Sequence, residues 1–199
     1  MKSNVCKIDS GTKDLAAIFA ESEKVAKYNG LTHKQAMQLR LICEEIDGML
    51  PNIIDDFNGE LWIELEDGVC KVNVSLSFKE FTAEKKKDLI GIARNKKNAS
   101  AVGIVGRIRS SIENILLDED SFKGFTMSAE SAYLSGEYYD RMDYSHMWSL
   151  GQYRSTVEKE KMRDEWDELE KSVIASVADD VIVGVKGKRA DIIIVKKFA

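Results

Sequence analysis

The residue types that build metal sites and disulfide frameworks are scarce in this sequence. It contains three cysteines, Cys6, Cys43 and Cys70, and two histidines, His33 and His146. Each cysteine stands alone in an apolar segment, with no other cysteine or histidine at ligand spacing. Because zinc sites need clustered ligands and disulfide scaffolds need paired cysteines, the pattern predicts three reduced, buried thiols and no bound metal.

Hydrophobic runs long enough to cross a membrane are also missing. No stretch approaches the ~18 apolar residues of a transmembrane helix, and the N-terminal MKSNVCKIDSGTKD lacks the apolar region of a secretory signal. These absences predict a cytoplasmic protein with no membrane partner.

Basic residues are in deficit too, because 29 Lys and Arg stand against 34 Asp and Glu. Nucleic acid requires a basic surface, so no nucleic-acid partner is expected.

Proline occurs once, at Pro51, and the segments around it are typical of helices. A first helix, with apolar residues at three- and four-residue spacing over 15–26, ends at Gly30. Thr32 and Gln35 then form a capping box in front of a second helix with a wide apolar stripe. Pro51 falls inside this stripe. It is expected to kink or break the helix, because it lacks an N–H and clashes with the preceding turn.

Alternating apolar and polar residues next indicate an antiparallel hairpin. Residues 60–65 and 69–78 each place apolar side chains on one face, and Asp67-Gly68 between them is a signal for a two-residue turn. Asn58-Gly59 carries a similar signal and is expected to form a turn before the hairpin.

The C-terminal part combines one long helix with two strands. Residues 155–178 have the pattern of a single amphipathic helix. Residues 181–185 and 191–195 are nearly all β-branched, so at least one of them should be a central strand.

The middle of the chain is less regular. Residues 82–92 and 102–117 are predicted to be helices. Residues 118–153 are rich in aromatic residues and methionine, have poor periodicity, and are interpreted as an ordered excursion that lies on the core. It would either cover a groove or present an apolar patch to a partner.

Val5-Cys6-Lys7-Ile8 is predicted to be a short first strand. The order strand, helix, helix, hairpin, variable middle, helix, closing strands resembles that of the GHKL ATPases, which include sensor histidine kinases and anti-sigma-factor serine kinases. The stretch Leu39-Arg40-Leu41-Ile42-Cys43-Glu44-Glu45 resembles the helix that carries the catalytic glutamate of the family. Residues 172–181 and 192–198 are similar to its closing helix, Asp-Glu-Val junction and final strand.

The resemblance implies an α/β (α+β) two-layer sandwich, in which a mixed, mainly antiparallel sheet has helices on one face. It implies a single domain over 1–199, with 1–78 and 155–199 as the fold core and 79–154 replacing the family's lid region. It also implies ATP and Mg²⁺ as cofactors, Glu45 as the candidate catalytic residue, and Glu44 beside it in the nucleotide site.

The boxes that hold the nucleotide in the family are nevertheless incomplete in this sequence. The family has a Mg²⁺-binding asparagine four residues after its glutamate, whereas here Gly48 and Met49 follow Glu44 and Glu45 at that spacing. A hard cation needs oxygen ligands, and the nearest candidate, Asn52, lies seven residues after Glu45 instead of four and follows Pro51. The Asp-x-Gly-x-Gly element is absent from 75–80, and Gly151 stands alone where a second glycine box would lie.

A second candidate for anion binding lies in the middle of the chain. Two glycines open the predicted helix at 102–117, and basic residues precede and follow them: Lys96, Lys97, Gly103, Gly106 and Arg107. Helix N-terminal amides and basic side chains could hold a phosphate. The alternative is a helix whose glycines allow close packing, preceded by a solvated basic loop.

The two glutamates of the first candidate site also have a structural alternative. Glu44 and Glu45 could be solvated, with one of them paired to Arg40 one turn away.

The incomplete nucleotide-binding motifs favour a non-enzymatic role. The sequence predicts a regulatory or protein-interaction module on a histidine-kinase-like scaffold, with a protein partner and with homodimerisation as one option. A divergent ATP-binding protein, such as a serine kinase of the anti-sigma type, and a small-ligand-binding protein that reuses the pocket are the alternatives.

Overall fold

The computed structural model describes residues 1–11, 15–54, 56–78, 103–117, 146–186 and 188–198. The helices in these ranges are α1 (Leu15–Tyr28), α2 (His33–Ile53), α3 (Gly103–Leu117), α4 (Leu150–Glu160), α5 (Arg163–Lys171) and α6 (Val173–Val177). The strands are β1 (Cys6–Asp9), β2 (Phe57–Glu66), β3 (Val69–Phe78), β4 (His146–Ser149), β5 (Asp180–Lys186) and β6 (Arg189–Lys197).

Within the described ranges the strands form one open sheet in the order β1-β2-β3-β6-β5-β4. The prediction of an α/β fold, with helices packed on a sheet, is confirmed. Each pair of neighbours is antiparallel, so in the described ranges the sheet is antiparallel throughout and not mixed. The two closing strands, β5 and β6, are both interior, which confirms the prediction that at least one of them is a central strand.

One face of the sheet, the helix face, packs against the described helices. Alternate residues of β2, such as Leu61 and Ile63, share a buried cluster with Ile42 and Ile46 of α2 and Ile108 of α3. The opposite face carries a smaller cluster around Met147, Ile182 and Val195. The period-two alternation of the strands therefore separates a large core from a second, smaller one.

The hairpin forms as predicted, but the turn expected before it does not. Asp67 and Gly68 both adopt positive φ, 49° and 77°, as a two-residue turn of the primed type requires. Asn58 and Gly59 instead lie inside β2, where Gly59 is opposite Leu76. A Cβ atom at position 59 would lie 2.4 Å from the carbonyl oxygen of Ser75. The glycine is thus required for close strand approach, not for a turn.

The start of α2 is as predicted, and the break that was one of the two outcomes expected at Pro51 does not occur. The side chain of Thr32 accepts a bond from the N–H of Gln35, and the side chain of Gln35 accepts from the N–H of Thr32. The helix then continues through Pro51 to Ile53. Pro51 has no N–H to donate to the carbonyl of Asp47, so one backbone bond is missing near the C-terminal end of the helix.

The long helix predicted over 155–178 is in fact three helices, α4, α5 and α6. Lys161 ends α4 in the left-handed conformation, with φ 54°. Ser172 separates α5 from α6 and caps α6 by accepting the N–H of Ala175 at 3.3 Å. The prediction was wrong because it counted apolar residues and ignored these two stops, neither of which is a glycine or a proline.

The segment interpreted as a lid replacement contributes directly to the structure. Helix α3 confirms the prediction over 102–117 to within a residue, and Ile104, Ile108 and Ile112 are buried in the main cluster. Strand β4, which was not predicted, adds an edge to the sheet beside β5. The helix predicted over 82–92 and most of the excursion over 118–153 lie outside the described residues.

The three cysteines are free and buried, as predicted. Burial raises the pKa of Cys43 and of Cys70 to about 12. These thiols are therefore protonated and unreactive at neutral pH.

Candidate functional site

Helix α2 carries both glutamates of the candidate nucleotide site. Glu44 is exposed and Glu45 is half-buried. Within the ranges that the structure describes, no hydrogen bond or ion pair holds either carboxylate. Arg40, the expected partner one turn away, instead pairs with Glu23 of α1, with 2.9 Å between Nη1 and Oε1. Among the described residues, therefore, no side chain orients the two carboxylates.

Gly48 and Met49, which stand at the Mg²⁺ position of the family pattern, supply no side-chain oxygen. Met49 is 4% exposed and belongs to the core that α2 forms with the sheet. Gly48 has no side chain, and Asn52, the remaining candidate, donates its amide to the carbonyl of Gly48 at 3.0 Å. Both residues belong to α2, so the side-chain amide of Asn52 is bonded to the backbone of its own helix.

The structure does bring Asn52 next to the second candidate segment. Arg109 of α3 donates to the backbone carbonyl of Asn52 at 3.1 Å. Arg107, the predicted anion ligand, makes other contacts. It lies 3.6 Å from the Glu165 carboxylate and 5.3 Å from the ring centre of Tyr153. The guanidinium of Arg107 is thus engaged with α4 and α5.

The glycines of α3 fit the packing alternative better than the anion alternative. Gly106 is buried, and α3 contacts α2, α5, β4 and β5. Gly103 is the first residue of the helix. Lys96 and Lys97 lie outside the described residues. Of the five candidate residues in this segment, Gly103, Gly106 and Arg107 are described, and Arg107 contacts Glu165 and Tyr153.

A different anion position, at the N-terminus of α4, is filled by the chain itself. Gly151, the lone glycine of the expected second box, donates its N–H to Oδ1 of Asp180 at 2.9 Å. The same oxygen accepts the N–H of Val181 at 2.8 Å. Ser149 caps the helix as well, by accepting the N–H of Gln152 at 3.1 Å. Helix N-termini attract anions through these amides, and here a carboxylate occupies the position.

The neighbourhood of Asp180 is largely buried and well connected. Burial raises the pKa of Asp180, while the bonds from Gly151 and Val181 and the charge of Arg154 act against that shift. Arg154 also donates to the carbonyl oxygens of Ala175 and Asp179. It thereby joins α4 to the end of α6 and to the start of β5.

Asp179 completes this junction. Its carboxylate accepts the backbone N–H of Lys197 at 2.6 Å and lies 3.4 Å from Nζ of Lys196. The Asp179-Asp180 pair is the part of the sequence that resembled the family's Asp-Glu-Val junction. Its contacts reach 29 residues back to Gly151, so no local pattern could have predicted them.

A second buried carboxylate, also missed from the sequence, lies on the opposite face of the sheet. Asp191 is 5% exposed and sits directly across from Ser75. Its Oδ2 lies 2.9 Å from Nε of Arg189. Burial raises the pKa of Asp191, and a hydrogen bond with Ser75 acts in the other direction. The only signal in the sequence was a charged residue in an otherwise β-branched run.

Comparisons with known proteins give no further guide. No family model, no curated protein and no solved structure matches the chain. Across the described residues, no group of three or more His, Cys, Asp and Glu side chains is arranged to hold a metal ion. Among the helices of those ranges, none combines the length and apolar character needed to span a membrane.

Proposed function

We propose that the chain is a regulatory protein-interaction module on a histidine-kinase-like scaffold, and that it works without Mg-ATP. The chain order of the described elements supports this proposal, because strand, two helices, hairpin and closing strands follow as in the family that the sequence resembles. The observation that carries the loss of nucleotide binding is Met49. It packs in the core at the place where the family has its metal ligand.

The N-terminus of α4 supports the same conclusion independently. A phosphate there would compete with the Asp180 carboxylate for the N–H of Gly151, which Asp180 already holds at 2.9 Å. Because Asp180 is tethered in the same fold, a free anion must displace an intramolecular ligand and overcome its high effective concentration. Like charges at this short range would also repel. An external phosphate is therefore disfavoured at this helix.

Calorimetric titration with ATP and Mg²⁺ tests the loss of nucleotide binding. The wild-type chain is expected to give no saturable heat at millimolar nucleotide. The Glu45→Ala variant serves as the matched comparison, since its side chain is half-buried and its loss leaves the core intact. Sub-millimolar binding that disappears in Glu45→Ala would overturn the proposal and support the divergent ATP-binding alternative.

The interaction role needs its own experiment. A sigma factor or an antagonist protein encoded beside this chain would be the first partner to test, because the scaffold resembles that of anti-sigma-factor kinases. We expect titration of the purified pair to show saturable binding that Mg-ATP does not change. Binding that requires Mg-ATP would contradict the proposed mechanism even though it would identify a partner.

A further inference from the structure

Helix α2 turns one side away from the core, and this outer face carries both apolar and charged side chains. Its members recur at three- and four-residue spacing, which places them along one side of the helix: Lys34, Met37, Leu41, Glu44 and Glu45. Lys34 and Glu44 are exposed, and Leu41 and Glu45 are half-buried. Met37 is 53% exposed, so a large apolar side chain lies in solvent between the charged ends of this face.

The charges of the outer face change sign along the helix. Lys34 lies in the first turn, whereas Glu44 and Glu45 lie about three turns further on. A positive charge in the first turn is unfavourable to the helix dipole, and α2 has neither an acidic residue in its first turn nor a basic residue in its last. This order of charges therefore does not stabilise the isolated helix.

Contacts within the chain do not use these charges either. Within the ranges that the structure describes, Lys34, Glu44 and Glu45 make no hydrogen bond or ion pair through their charged groups. Arg40, a neighbouring basic residue of α2, is already paired with Glu23 of α1. The outer face therefore offers charges of both signs to another molecule.

We propose that the outer face of α2 binds a second copy of the chain, with the two α2 helices antiparallel and the two-fold axis level with Leu39. In that register Lys34 lies opposite Glu45 of the second copy, and Met37 lies opposite Leu41 of the second copy. The symmetry repeats each pair. The contact therefore has four apolar side chains at its centre and an ion pair at each end, which matches the apolar core and polar rim of protein interfaces.

The spacing along α2 fits this arrangement. Lys34 precedes Glu45 by eleven residues, or about 16 Å along the helix axis. Met37 and Leu41 lie between them and about one turn apart, so the two apolar pairs and the two ion pairs can form at the same time. The thioether side chain of Met37 is flexible and adapts to the surface that it meets.

The order of charges favours a second copy in the antiparallel orientation. A face that is basic at one end and acidic at the other is complementary to itself when it is reversed. Parallel helices would place Lys34 beside Lys34 and Glu45 beside Glu45, and like charges repel. Antiparallel packing also sets the N-terminus of each helix towards the C-terminus of the other, so the two helix dipoles attract each other.

Sedimentation equilibrium of the wild-type chain from about 1 µM to about 1 mM tests this inference, because an interface of one helix from each copy is small and its dimer is expected to be weak. Met37→Lys places a positive charge from each copy in the apolar centre and should abolish the dimer over this range. Val5→Lys is the matched control, because Val5 has a similar exposure of 48% and lies just before β1. It should leave the dimer unchanged.

Charge reversals test the register. Lys34→Glu and Glu45→Lys each turn both ion pairs into like-charge pairs and should weaken dimerisation about tenfold. The double variant Lys34→Glu with Glu45→Lys restores opposite charges and should restore most of the dimer. Lys159→Glu makes the same charge change at an exposed position of α4, which packs against β4 and β5, and should have no effect. Circular dichroism of each variant checks that it is folded.

Both the presence of the dimer and its response to the variants bear on the inference. A wild-type chain that stays monomeric throughout the concentration range overturns it, and so does a dimer that survives Met37→Lys or that neither charge reversal weakens. A dimer that is lost in Met37→Lys, weakened by each single reversal and regained in the double variant supports it. The measurement uses no nucleotide, so a failure here leaves the calorimetric test of the proposed function untouched.

Discussion

Gly59 offers the sharpest test of the fold, because adding one methyl group there should have a large effect. In Gly59→Ala the new Cβ would lie 2.4 Å from the carbonyl oxygen of Ser75 and 2.8 Å from Cδ2 of Leu76. An ordinary contact needs about 3.4 Å, so β2 and β3 must separate by about 1 Å. The obstacle is a backbone atom of the central hairpin, and it cannot rotate away as a side chain would.

The magnitude follows from two opposing effects. Overpacking of this kind costs about 1–3 kcal/mol, and distorted ladder hydrogen bonds add about 1 kcal/mol. Replacing glycine returns up to ~1 kcal/mol by restricting the unfolded chain. We therefore expect a net loss of about 2 kcal/mol in the free energy of unfolding. For a chain of this size that lowers the Tm by about 4–8 °C.

Urea unfolding followed by far-ultraviolet circular dichroism measures this loss, and Gly48→Ala is the matched control. Gly48 lies in helix α2, is exposed, and has nothing within 4 Å of a built Cβ. The same substitution there should stabilise the protein by about 0.5–1 kcal/mol. If Gly59→Ala proves neutral or stabilising, Asn58-Gly59 is an open turn and the register of β1, β2 and β3 is wrong.

Three further substitutions test other parts of the structure. Thr32→Ala should lower the free energy of unfolding by about 1 kcal/mol, because it removes the capping box of α2, whereas Thr32→Ser keeps the capping hydroxyl and should keep most of that stability. Equal losses for the two variants in urea unfolding would argue against the cap. Ile108→Ala should cost about 2–5 kcal/mol, because this side chain is fully buried in the core; a thermal shift close to zero would mean that α3 is not docked. Asp180→Asn should change the pH dependence of stability. The folded state raises the pKa of Asp180 above 3.8 and so binds its proton more tightly than the unfolded chain. Wild-type stability relative to the variant should therefore fall as pH rises from below 3.8 through the raised pKa, and a constant difference over that range would contradict the environment described for Asp180.

Features that depend on neighbouring residues were predictable from the sequence. The capping box at Thr32 and the turn at Asp67-Gly68 are set by residues within a few positions of each other, and the structure has both. The long helix over 155–178 failed for a related reason. Apolar spacing persisted through Lys161 and Ser172, although a left-handed residue and a serine cap stop the helices there. Periodicity reports which side of a segment is buried, and it does not report whether the segment is continuous.

Features that depend on distant strands were not predictable. Asn58-Gly59 is a strong local turn signal, yet the glycine is needed because Ser75 and Leu76 approach it from another strand. The carboxylate of Asp180 reaches Gly151 across 29 residues, and nothing near either residue marks the contact. The candidate site residues Glu44 and Glu45 were correctly placed on one helix, whereas Asn52 was expected to follow a kink or break at Pro51 and lies in the same helix. Only the fold reveals that Met49, between them, lies in the core.

The contacts of the candidate site bear on where the protein's activity can lie. At the N-terminus of α4, the amide of Gly151 already has its acceptor, and the guanidinium of Arg107 already contacts Glu165 and Tyr153. A ligand at either place would have to replace an existing intramolecular contact and would gain only the difference in free energy. For this reason we expect loss of the Asp180 carboxylate to affect the stability of the junction between α4 and β5 more than the binding of an external anion.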